Sequence, residues 1–141
     1  MRVLLLLTAL SLSARAEFLR VEVFMKDMDC QSCSDSLGVA FGKIRGVSHA
    51  NVNMQDGTVA IDLTSGNRVT LEQIWDTIKR IGFTPGETKV TVRGSVKGST
   101  LTVLDKTIAI EGKADEGENV ELKGAITPPP DPRTPIKLRI P

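Results

Sequence analysis

From Phe18 to Met25 the chain alternates, with Leu19, Val21, Val23 and Met25 on one side and Phe18, Arg20, Glu22 and Phe24 on the other. Successive side chains of a strand point to opposite faces, so this stretch predicts a strand whose inward face includes Leu19, Val21 and Val23. After Cys33 the period lengthens. Leu37, Phe41 and Ile44 recur at i, i+4 and i+7, one apolar stripe on a helix, and Gly46 ends it. Val47, Val52 and Met54 lead to Asp56-Gly57, a hairpin-turn dipeptide, and Val59, Ile61 and Leu63 alternate on the return. Thr70-Leu71-Glu72-Gln73 has the form of a capping box. Behind it Leu71, Ile74, Ile78 and Ile81 make the stripe of a second helix, which Gly82 closes and Pro85 forbids from continuing. A further strand follows around Thr88 to Arg93.

The predicted order is β-α-β-β-α-β. Two amphipathic helices bury their stripes best on one face of a four-stranded antiparallel sheet, so the fold class is α+β, a ferredoxin-like sandwich. In that topology the loop after the first strand, the hairpin turn and the loop after the second helix lie at one end. Cys30, Cys33, Asp56 and Phe83 are expected there, and His49 at the opposite end.

Beyond Arg93 the pattern changes. Leu101/Val103, Ile108/Ile110, Val120/Leu122 and Ile136/Leu138/Ile140 alternate with polar residues, punctuated by glycines, and no helical period appears. "TPPPDPRTP" predicts a stiff, extended connector of polyproline character. Residues 95–141 therefore predict a small all-β module, marginal in size for independent stability and expected to pack on the first domain, with the strand near Val90–Arg93 serving both.

Composition narrows the function. The chain has 141 residues and a net charge of +1, with four Phe, Trp75 and no Tyr. It shows neither the basic footprint nor the aromatic platform of a nucleic-acid binder. His49 is the one histidine and sits at the wrong end for the cysteines, which limits histidine-based catalysis and all-protein zinc cages. The N-terminus has Arg2, an apolar run from Val3 to about Leu12, and Ala14-Arg15-Ala16, the form of a cleavable signal peptide over residues 1–16. That run is too short to span a bilayer, and nothing after it is apolar enough to do so. The expected divisions are 1–16, 17–94 and 95–141, and the expected location is periplasmic or secreted.

Export sharpens the meaning of "DMDCQSC", which holds both cysteines, Cys30 and Cys33. A disulfide staple gains most by closing a long loop, and this one is minimal. Redox or metal chemistry remains. Cys30 ends a loop and Cys33 falls in the first turn of the first helix, where unpaired N–H groups favour thiolate. Two thiolates at this spacing can meet one small soft ion, Cu(I), Zn(II), Hg(II) or Cd(II), and leave it open to a partner's ligand. Met28 reads as core rather than ligand, Asp29 as either solvated loop charge or ligand, and Trp75, one residue past the stripe, as partly buried packing.

With these residues in place the chain resembles the heavy-metal-associated domain found in copper chaperones, in metal-binding domains of heavy-metal P-type ATPases and in the periplasmic mercury-binding protein. The resemblance rests on "DMDCQSC" against Gly-Met-x-Cys-x-x-Cys, on "LGVAFGKIRGVSHANVNM", and on "TLEQIWDTIKRIGFTP" ending in Gly-Phe. It covers roughly residues 18–93. It implies that Cys30 and Cys33 are the metal ligands, that Met28 is buried beneath the loop, and that Phe83 shields the site. Asp27 stands where the family has Gly. Asp29 stands at a variable position where an acid accompanies divalent-ion pumps in the family, which adds Asp29 to the candidate ligands.

The expected function is thus non-enzymatic: an exported carrier, buffer or scavenger of one soft or borderline ion, Cu(I) or Zn(II) foremost. Its partners would be a metal-transporting ATPase or another metal-binding domain. Two other readings stand beside it. One is a thiol–disulfide oxidoreductase, which shares the CxxC at a helix start but lacks the βαβ context of that fold. The other is an adaptor acting through the C-terminal β module.

Overall fold

The computed structural model describes residues 16–26 and 28–141; residues 1–15 of the expected signal peptide, and Asp27, lie outside them. Strand β1 (Glu17–Lys26) is followed by helix α1 (Gln31–Gly42), strands β2 (Val47–Asn53) and β3 (Thr58–Leu63), helix α2 (Leu71–Ile81) and strand β4 (Thr84–Lys97). The sheet runs β2-β3-β1-β4, all antiparallel. This is the ferredoxin-like arrangement that the two periods predict.

The inward face differs from the expected one at its start. Val21, Val23 and Met25 are buried, but so is Phe18, while Leu19 is only half-buried. A register shift between Phe18 and Arg20 against β4 explains it: an extra residue breaks the alternation, and the two sides exchange. Opposite this face, α1 buries Leu37 and Phe41, and α2 buries Leu71, Ile74 and Ile78. Each such side chain contributes about 1.5–3 kcal/mol of burial. Helix α2 starts as the capping box predicts, with the Thr70 hydroxyl accepting from the Gln73 N–H at 3.2 Å. It stops at Gly82, whose φ of 110° closes the helix in the left-handed conformation. The hairpin turn is longer than a two-residue loop. Residues 54–57 all lie outside the strands, and the Asn53 side chain accepts from the Asp56 N–H at 3.1 Å.

Residues 95–141 do not build a separate sheet. Strands β5 (Thr100–Val103), β6 (Lys106–Glu111), β7 (Gly117–Ile126) and β8 (Lys137–Arg139) join the same eight-stranded sheet. Strand β4 continues through the expected boundary at 94/95. On one side it pairs with β1 and, at its end, with β5. On the other it pairs with β7 from Thr88↔Ile126 to Val96↔Gly117. The series β4-β5-β6-β8-β7 returns to β4, with β6 and β8 parallel, and closes a five-stranded Greek-key barrel. Closure needs two tight crossings. A Cβ on Gly94 would stand 2.5 Å from the Thr102 carbonyl oxygen, and one on Gly124 would stand 2.5 Å from that of Arg139. The proline-rich segment is not extended throughout. It turns at Asp131, whose carbonyl accepts from the Thr134 N–H and whose carboxylate accepts from the Arg133 N–H.

The two halves share one core. Barrel residues Val96, Leu101, Val103, Ile108 and Leu138 belong to the same buried cluster as Leu71, Ile74 and Trp75. Trp75 is buried at 3 % exposure, and its indole N–H donates to the Thr88 hydroxyl at 2.9 Å. The Glu17 carboxylate is buried too, and accepts from the Gly66 and Asn67 N–H groups at 2.7 and 3.2 Å, anchoring the turn before α2. Among the described residues no helix is long and apolar enough to cross a membrane.

Candidate metal centre

Three connections meet at one end of the sheet. Lys26 pairs with Thr84, which brings the segment after α2 beside the end of β1. The Met25 N–H donates to the Gly57 carbonyl at 2.7 Å, which brings the hairpin turn to the same place. The chain then leaves β1, buries Met28 in the core and exposes Asp29 before reaching Cys30. The packing role read for Met28 is the one it has. His49, near the start of β2 and beside Asp62 of β3, lies at the far end.

Cys30 is the N-cap of α1, with an extended backbone at φ −111° and ψ 112°. A capping side chain accepts from the unpaired N–H groups of the first turn. Here the acceptor is sulfur: Cys30 Sγ receives the Cys33 N–H at 3.2 Å. The Ser34 N–H closes the turn on the Cys30 carbonyl at 3.0 Å. The Ser32 hydroxyl shares a second hydrogen bond with Cys30 Sγ at 3.2 Å. Cys33 lies inside the helix and packs against the core cluster that holds Met28 and Phe83. One sulfur is thus held at the loop surface by the helix end, and the other is backed by apolar side chains.

The two sulfurs are joined as a disulfide, with the Cα atoms 5.2 Å apart. A soft ion needs both as thiolates, so loading requires a two-electron reduction of this bond. Among the described residues no group of three or more His, Cys, Asp and Glu side chains is arranged to hold an ion. Asp29 is next to Cys30 in sequence but completes no such cluster. Among the described residues the soft donors at this end are two sulfurs, a set that suits an ion passed between partners better than a closed structural site. Ser32 is the site residue that the sequence reading left without a role. A small polar residue between two cysteines at a helix start is the signal that points to it.

Residues 22–84 match the model of the heavy-metal-associated domain. Among solved structures, the "CopZ metallochaperone" is 26% identical over 47% of this chain and 97% of that one, with a TM-score of 0.44. A putative copper-ion-binding protein from Bacillus anthracis str. Ames is 26% identical over 52% of this chain and 99% of that one, with a TM-score of 0.41. Oxidized MerP from Ralstonia metallidurans CH34 is 16% identical over 49% of this chain and 94% of that one, with a TM-score of 0.44. No curated protein matches the chain. Over residues 22–84 the chain carries the pattern of a heavy-metal-associated domain.

Proposed function

We propose that this protein is an exported carrier, buffer or scavenger that holds one soft or borderline ion between Cys30 and Cys33. The observation that carries the reading is the placement of Cys30 as sulfur N-cap of α1 with Cys33 one turn away. Once the disulfide is reduced, a helix end at this place favours the thiolate form of Cys30. Two thiolates satisfy Cu(I) and leave Zn(II) short of its usual four ligands. The partner would be a metal-transporting ATPase or another metal-binding domain that supplies a third donor. The test is metal analysis of protein reduced and purified without oxygen, with competition against a chromophoric chelator, beside an insulin-reduction assay. One tightly held ion per chain without turnover of insulin supports a carrier. Insulin reduction without a retained ion supports the oxidoreductase reading, which the joined cysteines favour.

Asp29 enters as an auxiliary oxygen donor for a divalent ion. Its side chain is exposed and directly precedes Cys30, so a rotation of the loop brings its oxygen toward the ion. Asp29→Ala should weaken Zn(II) binding about 10- to 100-fold, the scale for lost supporting groups at metal sites, and leave Cu(I) affinity nearly unchanged. Matched competition titrations with the two ions decide between a ligand and a solvated charge. Equal losses for both ions would give Asp29 a loop-shaping role only.

Export rests on Arg2, the apolar run and Ala14-Arg15-Ala16. Intact-mass measurement of the protein from periplasm or medium should show a chain that starts at Glu17. Recovery there of a chain that keeps Met1 would end this part of the proposal.

A further inference from the structure

The face of the sheet turned away from the helices carries a second concave feature. A groove of about 510 Å³ lies across β1, β4 and β7 and is bounded by β8 and the residues after it. Its shape follows from the strand register. In one row across the sheet stand Arg20, Thr91 and Lys123; in the next stand Glu22, Lys89, Ala125 and Arg139. The short residues Thr91, Gly124 and Ala125 form the floor between long ones. The close approach of β8 keeps position 124 without a Cβ. The exposed lining is mainly apolar although four of its residues are cations. The aliphatic stems of the arginines and lysines make the walls, together with Ile140, and their charged heads reach the rim.

The four cations are not equivalent. Arg20 is held by Asp62 at 2.6 Å, and Arg139 by Glu87 at 3.0 Å and the Thr127 hydroxyl at 2.9 Å. Among the described residues Lys89 and Lys123 have no carboxylate within 4.0 Å. They are diagonal neighbours on adjacent antiparallel strands, about 7–8 Å apart at the backbone. Glu22, the one acidic side chain lining the groove, stands opposite Lys89 on β1 and away from Lys123. Lys89 also lines a neighbouring hollow with Glu22, Asp56 and Glu87, so Lys123 is the less compensated of the two, and one anionic head placed between them would meet both ammonium groups.

We propose that this groove binds a small amphiphilic anion from solution, with a carboxylate head between Lys89 and Lys123 and an apolar body along Ala125 and Ile140. A concave, mainly apolar site of this volume with a few converging polar groups has the form of a small-molecule site. It lies on the sheet face opposite the helices, separate from the cysteine loop, so its occupancy does not depend on the metal reading.

The test is titration of the whole protein with decanoate, followed by backbone amide NMR. Saturable shifts centred on Gly124, Ala125 and Lys89 are expected. Acetate supplies the head without the body, and decyltrimethylammonium the body with opposite charge; both should bind at least about tenfold more weakly, a difference of about 1.4 kcal/mol. Lys89→Ala with Lys123→Ala should lower decanoate affinity by a similar factor at unchanged melting temperature, since both side chains are exposed. Ala125→Leu should do the same by filling the floor without altering charge. Absence of saturable shifts at millimolar decanoate overturns the proposal, as does equal binding of the cationic amphiphile or affinity untouched by the double substitution. Sedimentation with anionic vesicles in the absence of decanoate binding overturns it too, because it would assign the cations to a membrane surface.

Discussion

Replacing both cysteines, Cys30→Ser with Cys33→Ser, should abolish soft-metal binding and leave the melting temperature of the reduced, metal-free protein almost unchanged. The hydroxyl of serine is neither soft nor ionised near neutral pH, so Cu(I) or Hg(II) loses both donors at once. The fold loses little. The core stripes carry most of the apolar burial; from the cysteine loop Met28 joins the core and Cys33 packs against it, and the substitution leaves Met28 in place. Serine is also a strong N-cap, so at position 30 it takes over the hydrogen bond that sulfur accepts from residue 33. The comparison must be with the reduced parent. The oxidised parent gains about 2 kcal/mol from closing a four-residue loop, on the chain-entropy relation. Chelator competition and calorimetry on the same samples read both quantities. Retained Cu(I) binding would move the site elsewhere, and collapse of the metal-free fold would make the pair structural.

Gly94→Val should lower the melting temperature of the whole molecule, and not of the barrel alone. A Cβ at this position stands 2.5 Å from the Thr102 carbonyl oxygen and 2.8 Å from a Leu101 methyl, so β5 must move away from β4. Overpacking of this kind costs about 1–3 kcal/mol or more, which corresponds to several degrees for a chain of this length. The measurement that separates a shared core from two independent ones is the fluorescence of Trp75. This side chain sits on α2 and donates to Thr88 of β4. In the substituted protein its transition should shift together with the far-ultraviolet circular dichroism. A Trp75 transition left in place would mean that the barrel unfolds alone. Gly38→Ala is the control: in mid-helix, with nothing within 4 Å of the added methyl, it should be neutral or stabilising by up to about 1 kcal/mol.

The parts legible in the sequence are those governed by short periods and local hydrogen bonds. Helix α1 stops at Gly42, so Ile44 lies beyond the helix and Gly46 does not end it, whereas the stripes at Leu37/Phe41 and Leu71/Ile74/Ile78, the Thr70 cap and the Gly82 stop appear where the pattern puts them. So does the gathering of the cysteine loop, the hairpin turn and the segment after α2 at one end, because strand order follows from helices that must cover one face. The failures have a common cause. Barrel closure depends on Thr88 finding Ile126 and on β6 finding β8 in parallel, pairings for which alternation along a single strand carries no information. Trp75 reads as half-buried when α2 is given a sheet on one side only. With the barrel residues in the same core, its side chain is covered and its N–H needs the Thr88 partner. The buried Glu17 is invisible for the same reason: its partners at Gly66 and Asn67 lie about fifty residues away in the chain. At the site, Cys30 and Cys33 stand out by spacing, whereas the contact of Ser32 with sulfur depends on a rotamer.

Strand β4 gives both of its sides to other strands, and this sets how copies of the molecule can add to one another. A bare four-stranded sheet of this topology exposes two edges, each a row of free N–H and C=O groups able to accept another strand. Here the β4 edge is occupied by β7, and the curl of the barrel carries the next strand away from the plane. Among the described residues β2 keeps the free edge of this half, and a register shift near His49 together with polar Ser48, Asn51 and Asn53 roughens it. Strand addition at β2 would join two molecules about a two-fold axis, while β4, taken up on both sides by β1 and β7, offers no edge there from which the sheet could be extended.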